Sequence, residues 1–256
     1  MEQMRDRTQA RKMDFWLMGE VIHGDYGRYI QDGQRLLHSV TNYELHKGLY
    51  SGHNDHNYFE IAHTIRREFD ANGGIYKGMK LYSFVDNHDV DRIASKLNVK
   101  ANLIPIHALL YMLPGIPSIY YGSEFGIEGR KEGGNDDPLR PALGLKKLKE
   151  EAPFPELEVW IKELSRIRKE HPACVNGAYQ ELMLTNRQYA FARTGDGDAV
   201  IVVVNNDEQE AGVSVRVPDA SVSYQDAVTG EAAESVNGQI QVKLPANGCR
   251  IIVKEL

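Results

Sequence analysis

Cysteine and long apolar runs are scarce in this sequence, and each scarcity excludes a class of protein. Two cysteines, Cys174 and Cys249, occur among 256 residues. Well-separated pairs are more often buried free thiols than a disulfide, so we expect no disulfide-stabilised scaffold. No Cys/His cluster has the spacing of zinc ligands. No run of about 18 apolar residues occurs, so the sequence predicts no transmembrane helix.

Excess basic charge and phosphate-binding motifs are also lacking. The chain has 30 Lys and Arg against 36 Asp and Glu, a net charge of −6 with the histidines neutral. Such a chain is a poor candidate for binding nucleic acid, which requires basic patches to neutralise phosphates. Neither Gly-x-Gly-x-x-Gly nor Gly-Lys-Ser/Thr is present, so no nucleotide-binding loop is predicted. The remaining composition is that of an ordinary globular protein, with 42% hydrophobic residues.

The first ten residues have no apolar segment of the kind found in a secretory signal peptide. They are charged and have instead the pattern of the outer face of a helix. Together with the low cysteine content, this favours a cytoplasmic protein.

Four short apolar runs predict the strands of a parallel sheet. Runs that are apolar throughout suit strands covered on both faces. Stretches with helical spacing of apolar residues lie between or after them, at 57–69, 103–113 and 156–170. Strands that alternate with helices predict βαβ units. The four predicted strands are Asp14–Glu20, Ser39–Leu45, Lys80–Asp86 and Gly115–Gly122.

The sequence changes in character near residue 173. Pro172 ends the last predicted helix, and the segments that follow are short, β-branched and separated by turn signals. We therefore predict two domains, an α/β domain at 1–172 and an all-β sandwich or barrel at 173–256. The strands predicted for the second domain are Tyr179–Leu184, Gln188–Arg193, Ala199–Asn205, Gly212–Val217, Ile240–Leu244 and Arg250–Val253.

Polar side chains follow three of the four predicted parallel strands. The first strand ends at Glu20, the third at an Asp-Asn-His-Asp segment (86–89), and the fourth continues into a glycine-rich loop at 133–140. In a parallel barrel the carboxyl ends of the strands form one rim, so these loops would open together. Singly, each is typical of a solvated surface loop, and the acidic pair Asp136 and Asp137 would also suit a cation. Their joint occurrence favours a common site.

The same segments, in the same order, resemble the α-amylase family of glycoside hydrolases. Residues 19–24 (Gly-Glu-Val-Ile-His-Gly) are similar to that family's fifth-strand motif, and residues 84–89 (Phe-Val-Asp-Asn-His-Asp) to its seventh. Residues 41–45 resemble the sixth strand and residues 115–124 the eighth. The resemblance covers essentially the whole chain. It implies an incomplete (β/α)8 TIM-type barrel, its second half, followed by an all-β antiparallel sandwich.

The resemblance implies a substrate and a set of site residues. Glu20 would be the general acid/base, and Asp89 would stay ionised and hold sugar hydroxyls. Glycosidic cleavage requires a proton for the leaving oxygen and negative charge near the anomeric carbon; burial and a neighbouring carboxylate would raise the pKa of Glu20. The substrate would be an α-linked glucan or a maltooligosaccharide. The residues implied in sugar contacts are His23, Asn87, His88, Asp136 and Arg140.

One catalytic group of the family has no counterpart in this sequence. The retaining mechanism requires a carboxylate nucleophile at the end of the fourth strand, in a Gly-x-Arg-x-Asp context. Of the 19 residues before Glu20, the carboxylates Glu2, Asp6 and Asp14 all lack that context. We therefore expect the nucleophile-bearing half to be missing and the chain alone to be inactive. A family calcium site would lie in that half, and we expect no cofactor or metal here.

A half-barrel raises the question of what covers it. Two open strand edges and an apolar inner face would be exposed, so we expect a homodimer or a companion chain that carries the N-terminal half. Two other functions stay open. One is a non-catalytic glucan-binding or interaction remnant, and the other is a glucanotransferase of the same family, which would share every residue named above.

Overall fold

The computed structural model of the protein describes residues 1–30 and 36–255. Residues 31–35 and 256, which fall within the two predicted domains, lie outside the described residues. The first part of the chain contains short strands that alternate with helices. Its strands are β1 (Met18–Gly19), β2 (Ser39–Val40), β3 (Tyr82–Phe84) and β4 (Ile116–Ser118). The helices are α1 (Glu2–Arg11), α2 (Gly27–Ile30), α3 (Tyr43–Asn54), α4 (Phe59–Phe69), α5 (Ile93–Lys96), α6 (Leu103–Met112), α7 (Leu145–Glu150), α8 (Glu156–Glu170) and α9 (Ala173–Asn176).

The four strands form a parallel array in chain order. β1 pairs with β2, β3 pairs with β4, and a parallel bridge between Thr41 and Tyr82 joins the two pairs. Among the described residues, β1 and β4 each have a strand on one side only. This arrangement confirms the predicted second half of a TIM-type barrel, in which β1 to β4 correspond to the fifth to eighth strands.

Helix positions follow from local sequence chemistry. The side-chain oxygen of Asn42 accepts a hydrogen bond from the Leu45 amide at 2.9 Å and so caps α3. The predicted strand Ser39–Leu45 is therefore wrong beyond Thr41, because the Asn42 cap starts a helix there. Helix α8 has the bounds that its apolar spacing predicts, 156–170, and Pro172 follows its end.

The second part of the chain is a two-sheet antiparallel sandwich, as predicted. One sheet has the strand order β5-β6-β7-β12-β9 and the other β10-β11-β8. Their inner faces enclose an apolar core that includes Ile201, Val203 and Ile240. The strands are β5 (Ala178–Leu184), β6 (Gln188–Gly195), β7 (Asp198–Asn205), β8 (Ala211–Arg216), β9 (Tyr224–Asp226), β10 (Ser235–Val236), β11 (Gln239–Leu244) and β12 (Cys249–Lys254).

The sandwich packs against the helices of the parallel part. The buried Arg193 donates to the Met112 carbonyl at 2.9 Å, and Asn206 donates to the Gly52 carbonyl at 3.1 Å. One apolar cluster continues across this junction, from Leu109 of α6 to Val202 of β7. Both cysteines are buried free thiols, as expected. None of the described helices has the length and apolar character needed to cross a membrane.

Candidate active site

Glu20 lies just after β1 at the carboxyl end of the parallel strands. Its Oε1 accepts a hydrogen bond from the Tyr43 hydroxyl at 2.8 Å. Tyr43 begins α3, immediately after the Asn42 cap. Burial and, to a smaller extent, the hydrogen bond to Glu20 raise the pKa of Tyr43 to about 12, so the hydroxyl is a proton donor at neutral pH. Glu20 itself is exposed, so the described residues do not provide the burial expected for an acid/base group.

The segment after β3 is folded by Asn87. Its Oδ1 accepts from the amides of Asp89 at 2.8 Å and Val90 at 3.1 Å, which turns the chain back on itself. Its Nδ2 donates to the Tyr43 hydroxyl at 3.1 Å. Tyr43 therefore connects Glu20 to the segment that carries Asp89.

Asp89 lies at the centre of the exposed cluster. Its Oδ1 accepts from Arg140 Nη2 at 2.6 Å, and its Oδ2 is 3.3 Å from His88 Nε2. Glu20, His88 and Asp89 each offer one ligand-type atom, and these atoms all lie within 4.8 Å of one another. Three of the predicted site residues thus converge at one point, although Glu20 follows β1 and the other two follow β3.

Asp136 and Arg140 join this cluster from the glycine-rich loop. Arg140 Nη2 is 3.3 Å from Asp136 Oδ2, and Arg140 Nε donates to the His88 carbonyl at 3.0 Å. Lys131 lies on the other side of Asp136, with its Nζ 2.9 Å from Asp136 Oδ1. The loop is therefore held to the β3 segment by charge-assisted hydrogen bonds.

His23 is the predicted site residue that the structure does not bring into this network. It is exposed in the loop after Glu20. Within residues 1–30 and 36–255, its side chain makes none of the hydrogen bonds that link the others. Its predicted contact with a sugar stays a prediction.

Two buried residues support the rim: Arg92, which the sequence did not single out, and Asp86, which it placed at the end of a strand without a site role. The fully buried Arg92 donates to the carbonyls of Tyr121 at 2.8 Å and Leu139 at 2.7 Å, and its guanidinium carbon is 4.2 Å from the centre of the Tyr120 ring. Asp86 accepts from the Ser123 hydroxyl at 2.7 Å. Burial raises the pKa of Asp86.

The acidic groups that precede Glu20 lie elsewhere. Glu2 and Asp6 are on α1, and Asp14 is in the turn that follows this helix. None of the three ends a strand. Together, Glu20, His88 and Asp89 can place a proton donor and a fixed negative charge about one sugar ring, which suits glycosyl transfer. Their residue types would also suit a small divalent cation, and the prediction of no metal here stays a prediction.

Two family models match the chain in succession. The model described as alpha amylase, catalytic domain, matches residues 1–176, and that described as maltogenic amylase, C-terminal domain, matches residues 179–251. Neopullulanase 2 of Thermoactinomyces vulgaris is 25% identical over 94% of this chain and 40% of its own length. Beta/alpha-amylase of Paenibacillus polymyxa is 28% identical over 79% of this chain and 16% of its own length.

Solved structures show the same fold. A cyclomaltodextrin glucanotransferase with a three-domain ABC distribution superposes with a TM-score of 0.81 at 24% identity, over 100% of this chain and 53% of that one. An α-amylase from Geobacillus thermoleovorans in complex with acarbose gives a TM-score of 0.78 at 19% identity, over 100% and 56%. The chain thus spans about half the length of these solved structures and less than half of the curated relatives named above.

Proposed function

Because this chain belongs to the family of α-amylase catalytic domains, we propose that it acts on α-linked glucans or maltooligosaccharides as part of a retaining glycoside hydrolase. The observation that carries this proposal is the convergence of Glu20, His88 and Asp89 within 4.8 Å. Relatives named neopullulanase, cyclomaltodextrinase and intracellular maltogenic amylase support the substrate class.

In the proposed reaction, Glu20 gives its proton to the glycosidic oxygen as the bond to the anomeric carbon breaks. Asp89 holds hydroxyls of the same sugar, and its negative charge favours the oxocarbenium-like transition state. In the second half of the reaction, Glu20 takes a proton from water. The Tyr43 hydrogen bond at 2.8 Å fixes the Glu20 carboxyl for both steps.

Arg140 and Asp136 are proposed to hold glucose units beside the cleavage point. Arg140 contacts both Asp136 and Asp89, and these contacts keep the loop at the rim. Asn87 and His88 complete the proposed set, since Asn87 shapes the segment and the His88 ring offers a donor for a sugar hydroxyl.

The covalent step requires a nucleophile that the described residues before Glu20 do not place at a strand end. We propose that a polypeptide carrying the first four barrel strands supplies it. That partner would be a companion chain, and in its absence two copies of this chain would cover each other's open edges. Strands β1 and β4 are the edges at which either would pair.

Transfer in place of hydrolysis is a second candidate. A cyclomaltodextrin glucanotransferase of Niallia circulans is 29% identical over 62% of this chain. In transfer, Glu20 would deprotonate a sugar hydroxyl instead of water, and every other role would be the same. A non-catalytic glucan-binding role is the third, and the exposure of Glu20 is the observation in its favour. Relatives named as intracellular support a cytoplasmic location.

The test combines turnover and binding with maltoheptaose. We expect the purified chain to bind maltoheptaose in calorimetry and to release no reducing sugar, and Glu20→Gln to leave binding within about twofold. Absence of any binding at millimolar maltoheptaose would contradict the proposed substrate class. Turnover that disappears in Glu20→Gln would instead show that the nucleophile lies within this chain, and the products would separate hydrolysis from transfer.

The partner proposal has its own measurement. We expect light scattering at micromolar concentration to give twice the chain mass of 28.9 kDa, because the open edges bury each other. A monodisperse monomer would count against the homodimer and favour the companion chain.

A further inference from the structure

A cavity lies at the opposite end of the parallel strands from Glu20. It has a volume of about 380 Å³, within the range of small-molecule sites of roughly 300–1,000 Å³. Lys80 enters it from the segment before β3, and Gly115 from the turn before β4. The other wall consists of residues 175–179 and Arg193 of the sandwich. The cavity therefore lies between the amino-terminal ends of the strands and the β domain.

The charged side chains that line this cavity are all positive. Lys77, Lys80 and Arg193 line it, and none of the described residues that line it is an Asp or Glu. Arg168 is not itself part of the lining, but its Nη2 donates to the carbonyl of the lining residue Gly115 at 2.7 Å. None of these four cations has a carboxylate within 4.0 Å among the described residues. In a chain with a net charge of −6, the positive charge is concentrated here: three cations line the cavity, and a fourth is bonded to a lining residue.

Both arginines donate their side-chain hydrogen bonds to backbone carbonyl oxygens. Arg193 is 2% exposed, and its Nη2 donates to the Gly177 carbonyl at 2.8 Å. Its Nε is buried and has no hydrogen-bond partner among the described residues. Burial lowers the pKa of Arg193 to about 10. A buried cation whose partners are all neutral carries an uncompensated desolvation cost, and a bound anion would reduce that cost.

The two lysines keep donors available. Lys80 Nζ donates to Asn176 Oδ1 at 2.7 Å, and Lys77 Nζ donates to the Ala71 carbonyl at 2.5 Å. An ammonium group has three N–H donors, so each lysine retains two for a ligand. Both side chains are exposed at the mouth of the cavity and can turn toward an anion without disturbing the core.

We propose that this cavity binds a small oxyanion of the phosphate class, either inorganic phosphate or the phosphate group of a sugar monoester. Lys77 and Lys80 contact its oxygens, and Arg193 and Arg168 supply the positive potential of the wall. The site is separate from the Glu20 cluster, so this inference does not depend on the proposed glycosidase function.

The test measures binding of inorganic phosphate and of glucose 6-phosphate by calorimetry at low ionic strength. We expect saturable binding by the native chain and a loss of roughly tenfold or more in Lys77→Ala/Lys80→Ala, because two charge-assisted contacts are removed. The matched control is Lys147→Ala/Lys149→Ala, two exposed lysines on α7, which removes the same charge and should leave affinity within about twofold. Tighter binding of the monoester than of phosphate would identify a sugar phosphate as the ligand, and the reverse would identify free phosphate.

Two outcomes would overturn the proposal. The first is no saturable binding of either probe by the native chain. The second is an equal loss in both double variants, which would reduce the effect to general charge. Circular dichroism establishes that each variant is folded, and both pairs of lysines are exposed, so loss of binding cannot be attributed to unfolding.

Discussion

The parallel half-barrel and the β sandwich solve the same problem of burial in different ways. Every residue of β7 in the sandwich is buried, and its two sheets enclose a core of their own. The barrel strands are two or three residues long, and all three residues of β4 are only partly buried. Apolar side chains at the other edge, including Trp16, Met18 and Ile22, are 39–52% exposed.

This difference separates the part of the chain that its own residues close from the part that carries the candidate site. The sandwich is closed by residues of this chain, whereas the parallel sheet is closed on its helical side and open at its edges. The candidate site lies on the rim of the open part, at the ends of β1, β3 and the loop after β4. The part of the chain that carries the candidate site is therefore the part whose strand edges are open among the described residues.

The largest expected effect is on the free energy of unfolding, and it compares an isoleucine in the sandwich core with an isoleucine on the open side of the barrel. Ile201 is fully buried in the sandwich core, and Ile22 on the open side of the barrel is 52% exposed. We expect Ile201→Ala to lower the free energy of unfolding by about 2–5 kcal/mol, through lost burial and a cavity. The matched Ile22→Ala should change it by less than about 0.5 kcal/mol. Urea denaturation measures both, and equal losses would mean that a partner covers the barrel face in solution.

As pH falls, we expect the barrel part to lose stability at a higher pH than the sandwich, because all nine histidines precede residue 172. Burial lowers the pKa values of His53 and His107 to about 4. Their unfolded forms take up protons from pH 6.5 downward, so the stability they contribute is present at neutral pH and is lost between pH 6.5 and 4, on the order of 3 kcal/mol each. Glu68 acts in the opposite sense: burial raises its pKa to about 7, so its contribution grows as pH falls from 7 to 4.5.

The variant His107→Gln isolates this effect. We expect it to reduce the stability lost between pH 6.5 and 5 by on the order of 1–2 kcal/mol, as measured by urea denaturation at both pH values. The exposed His63→Gln is the control and should keep the native pH dependence. An unchanged slope in His107→Gln would show that this histidine is not a buried neutral group.

A smaller effect is expected at the rim. Arg140→Ala removes the guanidinium that contacts Asp89 and Asp136. We expect maltoheptaose affinity to fall by roughly tenfold, because the loop loses its charge-assisted hold and a sugar donor. Calorimetry would measure this, and unchanged affinity would remove Arg140 from the proposed binding set.

The smallest effect is expected where the two regions meet at the surface. Arg166 of α8 pairs with Glu163 and Glu170 and donates to the Ala227 carbonyl of the sandwich at 2.7 Å. These groups are partly exposed, so Arg166→Ala should cost less than about 1 kcal/mol in urea denaturation. A larger loss would mean that this contact, rather than the apolar junction, holds the regions together.

The sequence predicted regular elements well where one local signal dominated. Helix α8 has both a clear apolar stripe and a proline stop, and its predicted bounds match. The strand predicted at 39–45 forms only at its start, because Asn42 caps a helix that begins at Tyr43. Strands β9 and β10 were not predicted, since they have three and two residues and depend on the strands they pair with. The boundary near residue 173 stays a prediction.

The candidate site was predictable only in part, for a related reason. Motif resemblance singled out Glu20, His88 and Asp89 because their chemistry is visible within a few neighbouring residues. Tyr43 and Arg92 act across long separations, with partners 23 residues away at Glu20 and 47 residues away at Leu139. A local pattern carries no information on such contacts. Tyr43 lay inside the strand predicted at 39–45, so no local signal pointed to its contact with Glu20.

The hydrogen bonds by which Arg92 anchors the rim determine which substitutions the rim loops can accept. Of the three hydrogen bonds that its side chain makes among the described residues, two end on the carbonyl oxygens of Tyr121 and Leu139, atoms that every amino acid carries. A substitution at the exposed Tyr121 therefore changes the surface offered to a ligand while its anchor to the scaffold stays in place. Through this arrangement, new specificities can be explored at the loop surface without rebuilding the support beneath it.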